Sequence, residues 1–403
     1  MKIDDKTSHN SPSLRFPEFT GEWEEFSLGE IGDSFIGLTY KPTDTVPSGG
    51  IIVFRSSNIQ DGCIDYKDIV RVNKKVRENL ITKNGDLLIC ARNGSSRLIG
   101  KNALLHRTDA NQTFGAFMMV FRSDKNHFVH HLLNTKRYTS QVAENLGARI
   151  NQITSSDLSS FRFFFPKDDK EMTRIASLFD LLDERIAVQN RLIDRLQPLI
   201  KGIMVKLQQQ GLSKGTWKRV PLSSILKERT ELNEGLLPVY SVSVSQGVVN
   251  QMEYLGRSFA AKDTSKYHVA HFGDLIYTKS PTGSFPYGIV KQNSNRYKVA
   301  VSPLYGVYTP ANYFTGVFLQ EYFKSEVNTF NYLHSLIQKG AKNTINITNQ
   351  RFLDNYILIP TDSNDLQQIS NLLLRLNAKK DLMQNMLQQY QEQKQYLLRQ
   401  MFI

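Results

Sequence analysis

At 403 residues, 40% of them apolar and 10% aromatic, the chain has material for two or three cored domains and is no disordered polymer. Its formal net charge of +12 favours a polyanionic partner, nucleic acid before an acidic membrane surface. Two cysteines, Cys63 and Cys90, cannot staple a fold of this size; no apolar run approaches the roughly 18 residues a membrane span needs, and residues 1–10 lack the apolar core of a secretory leader, so a cytoplasmic protein is expected.

In chain order, residues 1–14 read as disordered. Residues 15–167 read as a mixed domain. Strand-like runs such as Ile51-Ile52-Val53-Phe54 and Met118-Met119-Val120-Phe121 are parted by glycine turns, among them Ser48-Gly49-Gly50 and Asp61-Gly62. Residues 127–146 carry helical spacing, and the apolar run 161–165 closes at Pro166. Over 168–210 apolar residues recur in heptads: Phe179, Ile186, Ile193, Ile200 and Leu207 on one row, Ile175, Leu182, Gln189, Leu196 and Ile203 on the other. Pro198 should kink this helix rather than end it, because the seam resumes beyond it. Residues 211–215, Gly-Leu-Ser-Lys-Gly, are the expected stop and linker.

A second mixed domain is expected over 216–361 and a second long helix over 362–403. There Ile369, Leu376, Met383, Tyr390 and Leu397 form one row and Leu373, Leu387 and Met401 the other, which Lys380 and Lys394 interrupt. A seam this polar suits pairing with the first helix, with face to spare for another protein. Each helix would be roughly 60 Å long.

The halves repeat. Trp23, Leu28 and Ile31 return 194 residues later as Trp217, Leu222 and Ile225, and Pro166 returns as Pro360. Gly85-Asp86-Leu87 matches Gly273-Asp274-Leu275 at a shift of 188, so the frame is constant and the interior varies. The fold class expected is α+β: two mixed α/β domains separated by two long antiparallel coiled-coil helices, with a pseudo-twofold internal repeat.

Catalytic signatures fail on inspection. Residues 94–102 imitate a phosphate-binding loop, with one residue too many between glycines and Asn102 where a hydroxyl should hold magnesium. Ser302-Pro303-Leu304-Tyr305 reads as a proline at a strand edge and Asp65-Tyr66-Lys67 as a surface turn. His127, His130 and His131 read as a solvated helix face, since adjacent helical residues point about 100° apart and no cysteine or acidic cluster accompanies them. No enzyme and no metal site is expected in this chain.

What is present is a polar, basic stretch after each Gly-Asp-Leu strand. Arg92, Asn93, Ser95, Ser96 and Arg97 form the first; Lys279, Ser280, Thr282 and Ser284 form the second. Arginine and lysine donate to guanine edges, asparagine pairs with adenine, and small hydroxyl residues approach phosphate closely. Lys74, Lys75 and Arg77 in the first domain, and Arg257, Lys262 and Lys342 in the second, are candidate backbone grips. Asn151-Gln152-Ile153-Thr154 and Asn346-Ile347-Thr348-Asn349 either cap the turn that follows or touch DNA. The seam rests on Ile175, Phe179, Leu182, Ile186, Ile193, Ile200, Ile369, Leu373, Leu376, Leu387 and Leu397.

With Leu14-Arg15-Phe16-Pro17-Glu18-Phe19 and Trp23 at its start, two Gly-Asp-Leu strands, the Asn-x-Thr segments, and strand, proline and long helix following twice, the chain resembles the specificity (S) subunit of type I restriction-modification systems. It departs from the usual Pro-Pro-x-x-Glu-Gln entry to each long helix, keeping one proline and no Glu-Gln. The resemblance implies a DNA reader without catalysis of its own. Two target-recognition domains would each read half of a split, asymmetric site in double-stranded DNA. The helices would set the gap and dock two modification (methyltransferase) subunits, and restriction (motor-nuclease) subunits would join them. S-adenosylmethionine, ATP and Mg2+ would sit on those partners and no cofactor on this chain. The rival from another class is a non-catalytic coiled-coil adaptor whose basic domains bind RNA or protein.

Overall fold

A computed structural model of the chain describes residues 10–148, 151–257, 260–339 and 345–403. They fall into two compact units: Met1–Gln189 with Met386–Ile403, and Asn190–Asn385. Among the described residues, no helix is long and apolar enough to cross a membrane.

In the first unit β1 (Glu24–Ser27) pairs antiparallel with β6 (Arg162–Phe165). The main sheet is built from β2 (Asp33–Ile36), β3 (Leu87–Cys90), β4 (Asn102–Leu104) and β5 (Met118–Arg122), in the order β2-β5-β3-β4. Every residue of β3 is buried, because the sheet is covered on both faces. Leu87, Ile89, Met119 and Phe121 pack with Trp23, while Leu88, Cys90, Met118 and Val120 pack with Ile52, Phe54 and Phe114. Covering on both faces is why these strands read as continuous apolar runs rather than alternating ones. The second face is covered by a smaller sheet ordered Thr113–Phe114, Ile51–Phe54, Val70–Val72, Thr45–Val46. Helices α1 (Asn126–Leu132), α2 (Lys136–Ala148) and α3 (Ser155–Ser160) follow.

Residues 10–14, read from composition as disordered, are tied down: Leu14 N donates to Gln400 O (2.9 Å) and Trp23 N to Asn10 O (2.6 Å). Residues 1–9 of that stretch lie outside the described residues. Arg15 then donates through Nε and Nη2 to both oxygens of the buried Glu171 carboxylate, at 2.6 and 2.7 Å. Its Nη1 donates to Gly21 O. One arginine thus fastens the opening segment to the first long helix by a two-pronged charged bond.

The second unit has a strand pair and a main sheet of its own. β7 (Trp217–Pro221) pairs antiparallel with β12 (Tyr356–Pro360). Its main sheet comprises β8 (Leu226–Glu228), β9 (Leu275–Tyr277), β10 (Val290–Gln292) and β11 (Gly306–Pro310), ordered β8-β11-β9-β10. Leu275, Tyr277, Val290 and Tyr308 pack with Trp217, and Ile276 and Val307 pack on the other face with Tyr240, Val248, Val299 and Val301. Helices α5 (Tyr313–Phe323), α6 (Glu326–His334) and α7 (Asn349–Leu353) complete it.

The long helices are α4 (Asp169–Ser213, 45 residues) and α8 (Ser363–Met401, 39 residues). α4 is continuous through Pro198 and runs three residues past its expected end at 210. Gly211 is therefore helical, and its role is clearance: a Cβ there would lie 2.0 Å from Trp217 Cδ1. The stop falls at Gly215, φ +67°. Thr216 N bonds back to Gly211 O and Gly215 N to Leu212 O, the paired bonds of a left-handed helix terminus.

The residues expected to form the seam are buried or half-buried on both helices. In α4, Ile175, Phe179, Leu182, Gln189 and Ile193 are buried and Ile186, Leu196, Ile200 and Ile203 half-buried; in α8, Leu373 is buried and Ile369, Leu376, Leu387 and Leu397 half-buried. Within the first unit, the Phe179 and Phe402 rings sit 5.6 Å apart, Lys394 Nζ lies 2.5 Å from Asp183 Oδ1, and Arg185 donates to Tyr390 Oη at 3.1 Å. Residue numbers rise along α4 as they fall along α8. Lys394, which interrupts the apolar row, is therefore matched by an acid rather than left buried alone. Within the second unit, Met204 and Leu207 share a core with Leu366, Ile369 and Leu373.

Candidate nucleic-acid interface

Each Gly-Asp-Leu motif is an anchored turn. Gly85 and Gly273 hold φ of +86° and +87°, a conformation cheap only for glycine. The Asp86 carboxylate accepts from Lys83 N and, at 2.9 Å each, from Nε and Nη2 of Arg122. Asp274 accepts from His271 N and from Nε and Nη2 of Arg229, at 2.6 and 3.2 Å. These buried bidentate pairs fix where β3 and β9 begin, hence where the segments beyond them emerge.

Beyond β3 the backbone is held on both sides. Ala91 N and Arg92 N both donate to Phe117 O at 3.0 Å, and Ile153 N donates to Ala91 O at 2.8 Å. The Arg92 side chain is exposed, its guanidinium 5.2 Å from the centre of the Phe117 ring, itself 58% exposed. A planar cation on an exposed ring presents the two surfaces that nucleobases favour, a hydrogen-bonding fork and a π-face. Asn93 is half-buried and engaged: its Nδ2 donates to Ser56 Oγ and its Oδ1 accepts from Ser95 N, both at 3.0 Å. Ser95 is half-buried, whereas Ser96 and Arg97 are exposed in the short helical turn Ser96–Leu98. Lys75 and Arg77 are exposed; Lys74 Nζ donates to Thr39 O and faces Asp44.

Beyond β9, Lys279 is half-buried with φ +59°. Gly288 makes room for it, since a Cβ there would lie 2.7 Å from Lys279 N. Burial pushes the Lys279 amine below the usual lysine range, with Glu228 opposing. Ser280 is exposed, Thr282 closes a two-bond bridge with Phe285, and Ser284 Oγ donates to Glu326 Oε1 at 2.7 Å. Arg257 and Lys262 are exposed. Lys342 lies outside the described residues.

The Asn-x-Thr segments are helix caps. Thr154 Oγ1 accepts from Asp157 N while Asp157 Oδ2 accepts from Thr154 N, a reciprocal box opening α3. Thr348 Oγ1 accepts from Arg351 N at the start of α7.

The three histidines do not form the solvated helix face expected of them. His127 is exposed, but His130 and His131 are 6% and 0% exposed, so they are no solvated face. The acids that accompany them come from α4: Asp180 Oδ1 lies 2.8 Å from His131 Nε2, and its Oδ2 lies 3.3 Å from His127 Nδ1. Burial works against the Asp180 carboxylate, yet the hydrogen bonds from His127 and His131 prevail and hold it below the usual carboxylate range.

Phe117 carries no signal in the sequence beyond being an aromatic between Gly115-Ala116 and Met118-Met119. Arg122 and Arg229 stand 36 and 45 positions from their aspartates, beyond any local pattern.

Residues 20–197 match the type I restriction modification DNA specificity domain. Among solved structures, the chain is similar to the S subunit of a type I restriction-modification system from M. genitalium, with a TM-score of 0.65, 14% identity, and 98% of this chain and 99% of that one covered. The HsdS subunit from Thermoanaerobacter tengcongensis matches with a TM-score of 0.41 and 16% identity over 94% of this chain and 96% of that one. Among curated proteins, none matches the sequence.

Proposed function

We propose that the chain reads a bipartite DNA site, one unlike half by each unit: residues 20–197 match the type I restriction modification DNA specificity domain, and the whole chain is similar in fold to an S subunit. The observation that carries this reading is the repeated buried aspartate, held in the first unit by Arg122 at the end of β5 and in the second by Arg229 just after β8. Asp86–Arg122 and Asp274–Arg229 hold equivalent strands in equivalent sheets, while the residues delivered beyond them differ: arginine on phenylalanine in one unit, a half-buried lysine in the other. One scaffold bearing two different contact sets is what an asymmetric split site requires.

In this reading Arg92 and Arg97 contact base edges in one half-site and Lys279 and Ser280 in the other. Exposed Lys75, Arg77, Arg257 and Lys262 neutralise phosphates. Asn93 and Ser284, already engaged within the protein, position their segments. α4 and α8 pair antiparallel as a coiled coil that spaces the two readers; the opposed contacts of Phe179, Asp183 and Arg185 with Phe402, Lys394 and Tyr390 support that pairing. In the second unit, the exposed apolar side chains Leu192, Leu199, Val205 and Leu382 are available for the docking of two modification subunits. Restriction subunits join in turn. S-adenosylmethionine, ATP and Mg2+ belong to those subunits, and this chain contributes recognition rather than bond making, in the cytoplasm where such complexes meet DNA.

Filter binding on duplex DNA, with the chain alone and with modification subunits, tests the proposal. Sequence-selective retention that gains affinity with the subunits supports it. Equal retention of every duplex, or preference for RNA, favours the adaptor.

A further inference from the structure

In the first unit, the buried pair His130–His131 on α1 meets α4 at Asp180 and Asp183, and the surrounding hydrogen bonds assign both imidazole tautomers. Asn102 Nδ2 donates to Gly100 O and Leu133 O, so its Oδ1 is the acceptor facing His130 Nδ1 at 3.2 Å. His130 therefore carries its proton on Nδ1 and a lone pair on Nε2. Gly62 leaves this nitrogen clear, because even a Cβ there would stay 3.9 Å away. His131 gives its Nε2–H to Asp180 Oδ1 at 2.8 Å, which leaves the lone pair on Nδ1. That Nδ1 is fully buried with no hydrogen-bond partner, and it lies 3.7 Å from Asp183 Oδ2. An orphaned buried nitrogen facing a carboxylate oxygen is costly unless something sits between them.

The ligand atoms of His130, His131 and Asp183 all lie within 4.8 Å of one another. We propose that these three side chains bind a divalent cation of the zinc class, through His130 Nε2, His131 Nδ1 and Asp183 Oδ2, clamping α1 to α4. Two imidazoles and a carboxylate are a zinc donor set, with water in the fourth position. Each imidazole already donates its other N–H, one to a carboxylate and one to an amide oxygen, which is how bound histidines are oriented. Tetrahedral bonds of about 2.0–2.1 Å put ligand atoms roughly 3.4 Å apart, so closure needs about an ångström of inward movement. Charge favours the ion: Asp180 and Asp183 contribute two negative charges against the single ammonium of Lys394, which holds the other oxygen of Asp183 at 2.5 Å.

The test uses the full chain, stripped with EDTA and dialysed into metal-free buffer, then titrated calorimetrically with Zn2+. Co2+ serves as a parallel optical probe. The site predicts one equivalent of Zn2+ per chain, a tetrahedral Co2+ visible spectrum, and at least a tenfold loss of affinity in His130→Gln and in Asp183→Asn. Circular dichroism confirms that each variant is folded, and the wild-type Co2+ spectrum decides the matter should either fail to fold. No stoichiometric binding by the wild type, or undiminished binding by both folded variants, overturns the site. None of these readouts involves DNA, so the outcome is separate from that of the recognition proposal.

Discussion

Removing Asp86 should unlock the first unit alone, and the chain carries its own reporters for this. Its two tryptophans are Trp23, in the core of the first unit, and Trp217, in the core of the second, 1% and 7% exposed. Asp86→Ala deletes a carboxylate 3% exposed that caps Lys83 N and binds Arg122 twice at 2.9 Å. Breaking a buried pair from one side costs about 3–5 kcal/mol. Arg122 keeps Asn79 O and Ile81 O as acceptors and is 18% exposed, so its charge is not stranded outright. The expected loss is therefore near the lower bound, about 3 kcal/mol. Asp274→Ala should cost less, about 2 kcal/mol, because Arg229 retains Glu231 at 3.7 Å. Guanidinium unfolding of Trp23→Phe and Trp217→Phe backgrounds, followed by fluorescence, reads each unit separately. A shift below about 0.5 kcal/mol at Trp23 in the Asp86→Ala protein would refute the claim that this carboxylate anchors the strand.

Other consequences can be measured on the same material. Gly211→Ala gains about 1 kcal/mol of helix propensity but drives a methyl into the Trp217 ring, for a net loss of about 2 kcal/mol at the Trp217 signal; a stabilised protein would contradict the clearance role. Burial lowers Lys291 to about 8, Lys324 and Lys380 adding to the effect and Glu321 opposing it. The unfolded lysine titrates near 10.4, so between about pH 8 and 10.4 the unfolded state binds more protons and stability must rise with pH. Lys291→Met should abolish that rise and stabilise the chain by about 3 kcal/mol at pH 7, less the bond from Nζ to Val244 O; an unchanged slope in alkaline melts sinks the assignment. Excising one heptad from each long helix, residues 190–196 and 379–385, preserves seam phase and removes roughly 10 Å, about three base steps, from the proposed spacer. Methylation mapping should show the gap shortened accordingly, and an unaltered gap would remove the helices from that role.

Periodicity made the long helices legible, because a row repeating every seven residues needs no knowledge of what it packs against. The heptad that resumes beyond Pro198 reveals that α4 continues through it, whereas the stop at Gly215 is hidden behind Gly211, whose smallness serves Trp217 six residues on. Apolar runs revealed β3 and β9 but not their partners, since β5 and β11 lie about 30 residues downstream. The same distance hid the histidine cluster. Three histidines beside one another look solvated until α4 delivers Asp180 and Asp183 some 50 positions downstream. Candidate contact residues divided likewise: Arg92 and Arg97 are on the surface, as basic residues by default are, but the commitment of Asn93 to Ser56 and of Ser284 to Glu326 arises from tertiary neighbours that no local pattern encodes.

The most direct test of two unlike readers in one chain is methylome sequencing of cells that express it with the proposed modification subunits, as wild type, Arg92→Ala and Lys279→Ala. The expected result is a split, asymmetric motif, with Arg92→Ala relaxing base preference in one half only and Lys279→Ala in the other only. A contiguous motif, or the same half degraded by both substitutions, contradicts it.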